Sequence, residues 1–201
     1  MGGVLLLTNN VNAIPLYLWL KERTVVSIYS DKIYVSQLEV LKPRLIISYN
    51  YNFIISKDII DFMQGNIINM HISYLPYNRG FSPNIWSFID DTPKGVTIHK
   101  LSEKLDEGDI IYQREMFFDT ARETFVSTYD KLNEQIVELF IENWDEINNS
   151  TYTTKAQIGT GTKHSLADLI KLQNSIMFTW DDNIQHFLKL YKEYEDNNSY
   201  N

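Results

Sequence analysis

The sequence has no cysteine among its 201 residues, and it has no apolar run long enough to cross a bilayer. The missing cysteine excludes disulfide bonds, thiolate metal sites and a cysteine nucleophile. Acidic side chains outnumber basic ones, and the formal net charge of -8 disfavours a protein that binds nucleic-acid phosphates. Residues 1–8 also lack the positive segment of a signal peptide. We therefore expect a cytoplasmic protein that binds neither nucleic acid nor membranes.

Short aliphatic runs alternate with helix-length segments of mixed polarity in the first half of the chain. Such runs are typical of strands that are buried on both faces of a parallel sheet. The predicted strands cover residues 4–7, 25–29, 45–48, 66–70, 96–99 and 109–117. The predicted helices cover residues 12–22, 34–41 and 56–63, the last with Ser56 as its N-cap. The fold class is therefore α/β, with a Rossmann-like, open, twisted and mostly parallel sheet and helices on both faces.

The second half of the chain combines one amphipathic helix with a polar, acidic tail. Thr120 and Glu123 have the spacing of a capping box, and apolar residues follow at helical spacing: Phe125, Tyr129, Leu132, Ile136, Leu139 and Phe140. Because the chain then becomes polar, we assign residues 1–147 to a main domain and residues 148–201 to a short C-terminal extension. An apolar stretch in this extension predicts a homodimer contact: Met177, Phe178, Trp180, Phe187, Leu188, Leu190 and Tyr191.

The chemistry of the chain is concentrated between residues 69 and 109. Asn69 and His71 lie two apart at a predicted strand end, so their side chains share one face and an amide and an imidazole can converge on one carbonyl group. Asp106, in a loop beside Gly108, could orient the imidazole and take the proton lost by an attacking amine. This trio suits acyl transfer to nitrogen, although each residue taken singly is also typical of an ordinary turn or strand end.

An ordered run of motifs separates these readings: Asn-x-His at 69–71, Leu-Pro at 75–76, Arg-Gly at 79–80, Gly-x-Thr at 95–97 and Leu-Asp-x-Gly-Asp at 105–109. Over about residues 4–145 the sequence resembles the N10-formyltetrahydrofolate-dependent formyltransferase family. The resemblance implies that Asn69 and His71 stabilise the tetrahedral intermediate formed when an amine attacks the formyl group. It implies that Asp106 assists proton removal, that N10-formyltetrahydrofolate is the co-substrate, and that no metal takes part.

Within that family, residues 48–55, 75–80, 83–88 and 91–93 resemble the sugar N-formyltransferases. This resemblance implies a dTDP-linked amino-dideoxy sugar as substrate, above all dTDP-4-amino-4,6-dideoxyglucose, and a place in the synthesis of surface glycans such as O-antigen. It also implies that a folate pocket is formed by four residues: Tyr51, Phe53, Ile54 and Ile55. An apolar slot suits a flat pterin, but Ile54 and Ile55 are nearly as well explained as core residues.

Binding of a sugar nucleotide requires cations near the diphosphate and an aromatic surface for the base. The candidates for these contacts are Tyr77, Arg79, Trp86, Lys94 and His164. Arg79 is favoured because it lies in the motif run. His164 is included because its Gly-Thr-x-His segment resembles one near the carboxyl end of several sugar enzymes, although a polar turn explains this segment equally well. Surface or structural roles stay open for the others.

Two further functions stay open. The first is formyl transfer to another amine, either that of a 3-amino sugar nucleotide, of glycinamide ribonucleotide or of methionyl-tRNA. The second is a protein that binds folate or a sugar nucleotide without catalysis. The intact trio favours catalysis over binding alone, and the acidic tail disfavours a tRNA substrate.

Overall fold

The computed structural model describes residues 2–198, in which six strands form one mixed sheet. Residue 1 and residues 199–201, the outer ends of the two predicted segments, lie outside the described residues. The strands of the large sheet are β1 (Val4–Leu7), β2 (Val26–Tyr29), β3 (Leu45–Tyr49), β4 (Ile67–His71), β6 (Lys94–Lys100) and β7 (Ile110–Met116). Two short strands, β5 (Arg79–Gly80) and β8 (Lys163–His164), form a separate parallel pair.

Eight α-helices lie within the described part of the chain. They are α1 (Ile14–Lys21), α2 (Val35–Leu41), α3 (Lys57–Phe62), α4 (Pro83–Ile89), α5 (Phe125–Glu142), α6 (Trp144–Asn149), α7 (Leu166–Ser175) and α8 (Ile184–Asn198). A 3₁₀ turn, Val11–Ala13, leads into α1. None of these described helices combines the length and the apolar character that a membrane span requires.

The large sheet has the strand order β2-β1-β3-β4-β6-β7. Strands β1 to β4 run parallel to one another, β6 pairs antiparallel with β4, and β7 pairs antiparallel with β6. Aliphatic side chains cover both faces of the parallel strands, since every residue of β1 and β3 is buried. The predicted α/β class is confirmed, as is the prediction that residues 96–99 and 109–117 form the far edge of the sheet.

Helices cover both faces of this sheet. Helices α1, α5 and α6 pack on one face and contribute a set of buried side chains: Leu16, Leu20, Leu132, Ile136, Phe140 and Ile147. Helices α2 and α3 cover the other face through Leu38, Ile59 and residues next to them. This arrangement leaves the carboxyl ends of β1, β3 and β4 open at one edge, which is where open α/β sheets bind their ligands.

The C-terminal extension shares a third apolar cluster with the main domain. Helices α4 and α5 meet α7 and α8 there, through Ile85, Phe88, Phe125, Leu169, Leu172, Ile184 and Phe187. Phe187 is fully buried, with its ring centroid 5.1 Å from that of Phe125 and 4.9 Å from that of Phe178. The expectation that Phe187 belongs to an exposed dimer surface is therefore wrong, because its own chain covers it. Met177 and Trp180 do stay exposed.

The predicted capping box at Thr120 is also wrong. Helix α5 begins at Phe125, and its cap is Thr124, whose hydroxyl accepts the Ser127 N–H at 3.1 Å while the Ser127 hydroxyl accepts the Thr124 N–H at 2.9 Å. The Thr120 carbonyl instead accepts from the Gln185 N–H, so residues 119–123 form a turn held by the extension. Ser56 does occupy the N-cap position of α3, but its hydroxyl donates to Asp58 and makes no capping bond.

The shared cluster predicts that the extension contributes to the stability of the whole chain. Replacing Phe187 by Ala should lower the free energy of unfolding by about 3–5 kcal/mol, because it empties a fully buried aromatic site. Met177→Ala is the matched control, since the Met177 side chain is 95% exposed and its loss should change stability by no more than about 0.5 kcal/mol. Urea unfolding measures both, and a Phe187→Ala variant as stable as the control would contradict this packing.

Candidate active site

A cavity of about 1270 Å³ opens at the carboxyl ends of the parallel strands. Its wall is formed by residues that directly follow β1 and β3, by the end of β4, and by the loop between β6 and β7. Helix α5 and the start of α7 complete the wall from the other side. The cavity therefore lies where the topology of the sheet predicts a ligand site.

The structure brings the predicted trio together in this wall. The Asn69 amide Nδ2 donates to Asp106 Oδ1 at 3.2 Å, and His71 Nε2 lies 3.8 Å from Asp106 Oδ2. Asn69 and His71 share a face of β4 because they are two residues apart on the strand. Asp106 reaches them from the β6–β7 loop, where its backbone is left-handed, with φ of 55°. A second bond fixes its carboxylate, since the Gly80 N–H donates to Oδ2 at 2.8 Å.

His99 is a member of this site that the sequence analysis missed. It is the register partner of Asn69 on the antiparallel strand β6, and it is almost completely buried. Its Nδ1 donates to the Lys100 carbonyl at 2.8 Å, so in the neutral ring Nε2 is unprotonated and accepts from Asn69 Nδ2 at 3.1 Å. In the sequence, Thr97 and His99 alternate with apolar residues, which indicates that their side chains share one face of a strand. That this face lies beside Asn69 follows only from the pairing of β4 with β6.

The carboxylate of Asp106 is ionised although it is buried. Burial by itself raises the pKa of Asp106, but the two imidazoles of His71 and His99 and the Gly80 N–H outweigh it and hold the pKa well below its usual range. Burial has the opposite consequence for His71, whose pKa it lowers, so the ring is neutral near pH 7. His71 Nε2 donates to the Asn78 carbonyl at 3.2 Å, which leaves Nδ1 as the basic atom of the neutral ring.

The four predicted folate residues all line the cavity. Tyr51 is held by two bonds, since its hydroxyl donates to the Asp31 carbonyl at 2.6 Å and accepts the Ile33 N–H at 3.0 Å. Phe53 packs against Tyr51, with 5.4 Å between ring centroids. Ile55 is buried and belongs to the core as well, whereas Ile54 is 84% exposed at the rim.

Of the five predicted substrate residues, only His164 lines the cavity. Its ring stacks on Trp86 at 4.1 Å between centroids, and its Nε2 lies 2.7 Å from Asp90 Oδ2. The other four do not line it: Tyr77, Arg79, Trp86 and Lys94. Lys94 lies over the ring of Phe88, and the guanidinium of Arg79 is bound by the Gln157 side chain. Direct contact of these four with a substrate stays a prediction.

The lowered pKa of His71 makes the stability of the fold depend on pH. Because the unfolded ring takes up a proton below about pH 6.5 while the folded ring resists it, stability is fully present above that pH and falls as the pH drops toward the folded pKa. The slope for one such proton is at most about 1.4 kcal/mol per pH unit.

Urea unfolding between about pH 5 and pH 7.5 measures this slope. His71→Gln should flatten it, whereas His186→Gln, the same change at an exposed site on α8, should leave it as in the parent chain. An equal slope in the parent and in His71→Gln would show that the ring is not held neutral.

Comparison with known proteins agrees with this geometry. The family model "Formyl transferase" matches residues 7–143, which include Asn69, His71 and Asp106. The dTDP-4-amino-4,6-dideoxyglucose formyltransferase of Mycobacterium bovis is 36% identical over 106 residues, which make up 53% of this chain and 45% of that protein. The match thus spans less than half the length of such curated relatives.

Two solved structures are similar over most of the chain. The formyltransferase PseJ of Anoxybacillus kamchatkensis, in complex with UDP-4,6-dideoxy-4-formamido-L-AltNAc and tetrahydrofolate, is 37% identical, has a TM-score of 0.82, and is matched over 90% of this chain and 95% of its own. Rv3404c of Mycobacterium tuberculosis is 29% identical with a TM-score of 0.79, over 94% of this chain and 85% of its own. The resemblance recognised in the sequence is confirmed, and the chain belongs to the formyl transferase family.

Proposed function

We propose that this protein transfers the formyl group of N10-formyltetrahydrofolate to the amine of a dTDP-linked amino-dideoxy sugar, above all dTDP-4-amino-4,6-dideoxyglucose. The observation that carries the proposal is the convergence of an amide donor, a neutral imidazole and an ionised carboxylate in one cavity wall: Asn69, His71 and Asp106. Two relatives act on, or hold, nucleotide sugars with nitrogen at C-4, and one of them also holds tetrahydrofolate.

The proposed chemistry assigns a role to each of the three groups. The amine nitrogen attacks the formyl carbon and forms a new C–N bond, while the formyl oxygen gains negative charge. The Asn69 N–H donates a hydrogen bond to that oxygen. The ionised Asp106 accepts the proton that the amine loses. The bond from the formyl carbon to N10 then breaks, and N10 takes the proton that Asp106 holds, which restores the carboxylate. His71 stabilises the same intermediate and, because its ring is neutral, can exchange a proton with it near pH 7.

The contacts of Asn69 link these steps. In the structure its Nδ2 donates to both His99 and Asp106, so both amide protons are in use before any substrate arrives. When Asp106 accepts a proton from the amine, it becomes a weaker acceptor for the Asn69 N–H. The Asn69 N–H can then donate its hydrogen bond to the formyl oxygen as that oxygen becomes negative. Proton removal by Asp106 and hydrogen bonding by Asn69 therefore reinforce one another.

The folate and sugar ends of the cavity have different characters. Tyr51, Phe53, Ile54 and Ile55 form the side proposed for the pterin, where an apolar slot beside strand-end backbone groups suits a flat ring. His164 is the proposed sugar-nucleotide contact from the opposite wall. We extend the proposal to surface-glycan synthesis, O-antigen included, in the cytoplasm, and to a homodimer for which the exposed Met177 and Trp180 offer apolar surface.

Two other functions stay as alternatives. The nucleotide of the M. bovis relative is dTDP and that of the Anoxybacillus ligand is UDP, so the base is less well supported than the amine position. A 3-amino sugar nucleotide, glycinamide ribonucleotide or methionyl-tRNA would be another acceptor for the same chemistry. A non-catalytic folate or sugar-nucleotide binder would not need an ionised, buried carboxylate beside an amide donor, which favours the enzyme.

Product mass tests the proposal directly. The chain is incubated with N10-formyltetrahydrofolate and a panel of 4-amino and 3-amino dideoxy sugars, each linked to dTDP or UDP. We expect the gain of one formyl group on dTDP-4-amino-4,6-dideoxyglucose. Asn69→Ala is the control and should slow the reaction by about a hundredfold or more, because it removes the donor to the developing charge.

The panel also separates the alternatives. A gain on a different member would replace the proposed acceptor. A gain on none while tetrahydrofolate still binds would favour either an acceptor outside the panel or a non-catalytic binding protein.

A further inference from the structure

The side chain of Gln157, in the C-terminal extension, connects the β6–β7 loop, which carries Asp106, to Arg79 on β5. Its Nε2 donates to the Asp106 carbonyl at 2.7 Å and to the Gly108 carbonyl at 2.9 Å. Its Oε1 accepts from Arg79 Nη2 at 2.7 Å and from Arg79 Nε at 3.1 Å. One amide therefore binds the backbone of the β6–β7 loop on one side and the guanidinium beside Gly80 on the other.

The chain that follows Gln157 is fixed along the same loop. Thr162 accepts the Asn78 N–H through its hydroxyl at 2.8 Å and the Arg79 N–H through its carbonyl at 3.0 Å. Strand β8 then pairs with β5, and the His164 carbonyl accepts the Phe81 N–H at 2.8 Å. Gly161 fits closely here, since a Cβ at this position would lie 2.0 Å from the Pro76 carbonyl oxygen. The segment that follows Gln157 is thus fixed against residues 76–81 by Gly161, Thr162 and His164.

These contacts fix the two backbone segments that position the Asp106 carboxylate, namely Gly80 and Asp106 itself. The Gly80 N–H, next to Arg79, donates to Oδ2, and the left-handed backbone of Asp106 directs the side chain toward Asn69 and His71. Gln157 binds the backbone of the Asp106 loop and the side chain of Arg79 at once, so its amide ties that loop to the strand that carries Gly80. This residue lies beyond the segment that the family model matches, residues 7–143, and the proposed mechanism gives it no role.

We propose that Gln157 is a positioning residue for Asp106, which it holds by its backbone at hydrogen-bonding distance from Asn69 and Gly80. The inference rests on the proposed function, since Asp106 is there the proton acceptor. It also gives Arg79 a role: the guanidinium serves as the anchor of Gln157, with further contacts to the Thr160 carbonyl at 3.2 Å and to Glu107 at 4.0 Å.

The test compares Gln157→Leu with Gln135→Leu in the full chain. Gln135 is a matched control because its Oε1 also accepts from an arginine, Arg114 Nη1 at 3.0 Å, but on α5. Each variant is measured for kcat and for KM of both co-substrates. The pKa of Asp106 is followed by carboxyl ¹³C NMR, with its resonance assigned by its loss in Asp106→Asn. Gln157→Glu is the second variant, since it keeps the chain length and the acceptor for Arg79 but removes the N–H donor.

We expect Gln157→Leu and Gln157→Glu to lower kcat by roughly tenfold to a hundredfold with both KM values nearly unchanged, because the bound substrates meet a misplaced acceptor. In Gln157→Leu the pKa of Asp106 should rise toward its ordinary value, since the carboxylate loses the Gly80 N–H and the imidazoles of His71 and His99 that face it. Gln135→Leu should change neither quantity.

An unchanged kcat, a loss carried by KM alone, or an unchanged pKa of Asp106 in Gln157→Leu would each overturn the inference. The NMR titration needs no turnover, so it tests the positioning of Asp106 even if the parent chain formylates no amine. A parent chain without activity on the panel, with an Asp106 pKa that still depends on Gln157, would refute the proposed function and leave the positioning role in place.

Discussion

A buried carboxylate that stays ionised is the constraint on which the site depends. Taking a carboxylate out of water costs several kcal/mol unless donors and positive or polar groups replace the lost hydration. Asp106 has such replacements in the Asn69 amide and the Gly80 N–H, which donate to its two oxygens, and in the ring of His71, whose Nε2 lies 3.8 Å from Oδ2. The same groups that stabilise the charge also bring an amide donor and a neutral base to within a few ångströms of it. Charge compensation and catalytic geometry are therefore one arrangement.

The fold supplies these groups from elements that are distant in the sequence. Parallel strands place Asn69 and His71 at the carboxyl edge, and the antiparallel strand β6 brings His99 beside Asn69. The extension contributes β8 and the side chain of Gln157, which contact the loop of Asp106 and the strand of Gly80. The extension shares an apolar cluster with α4 and α5 and reaches the site itself. Whether residues 1–147 and 148–201 are separate domains stays a prediction.

The sequence predicted the sheet and the trio well because both carry strong local signals. Aliphatic runs mark strands that are buried on both faces, and Asn69 and His71 at the end of one run share a face wherever that strand lies. What the sequence could not show were contacts made by distant partners. Thr120 accepts the Gln185 N–H in a turn that precedes α5, Phe187 is buried against Phe125, and the guanidinium of Arg79 is bound by Gln157. In each case the type of the residue indicated that it needs a partner, but the sequence did not show which residue that partner is.

The most direct test of this account is the rate of a single formyl transfer by Asp106→Asn, with both co-substrates saturating. Asparagine has nearly the shape of aspartate and can still accept the Gly80 N–H, but it carries no charge and cannot take a proton from the amine. The account predicts a loss of about a hundredfold or more relative to the parent chain. A rate within a factor of about two of the parent would show that the ionised carboxylate is not the proton acceptor, and it would contradict the role given to Asp106 here.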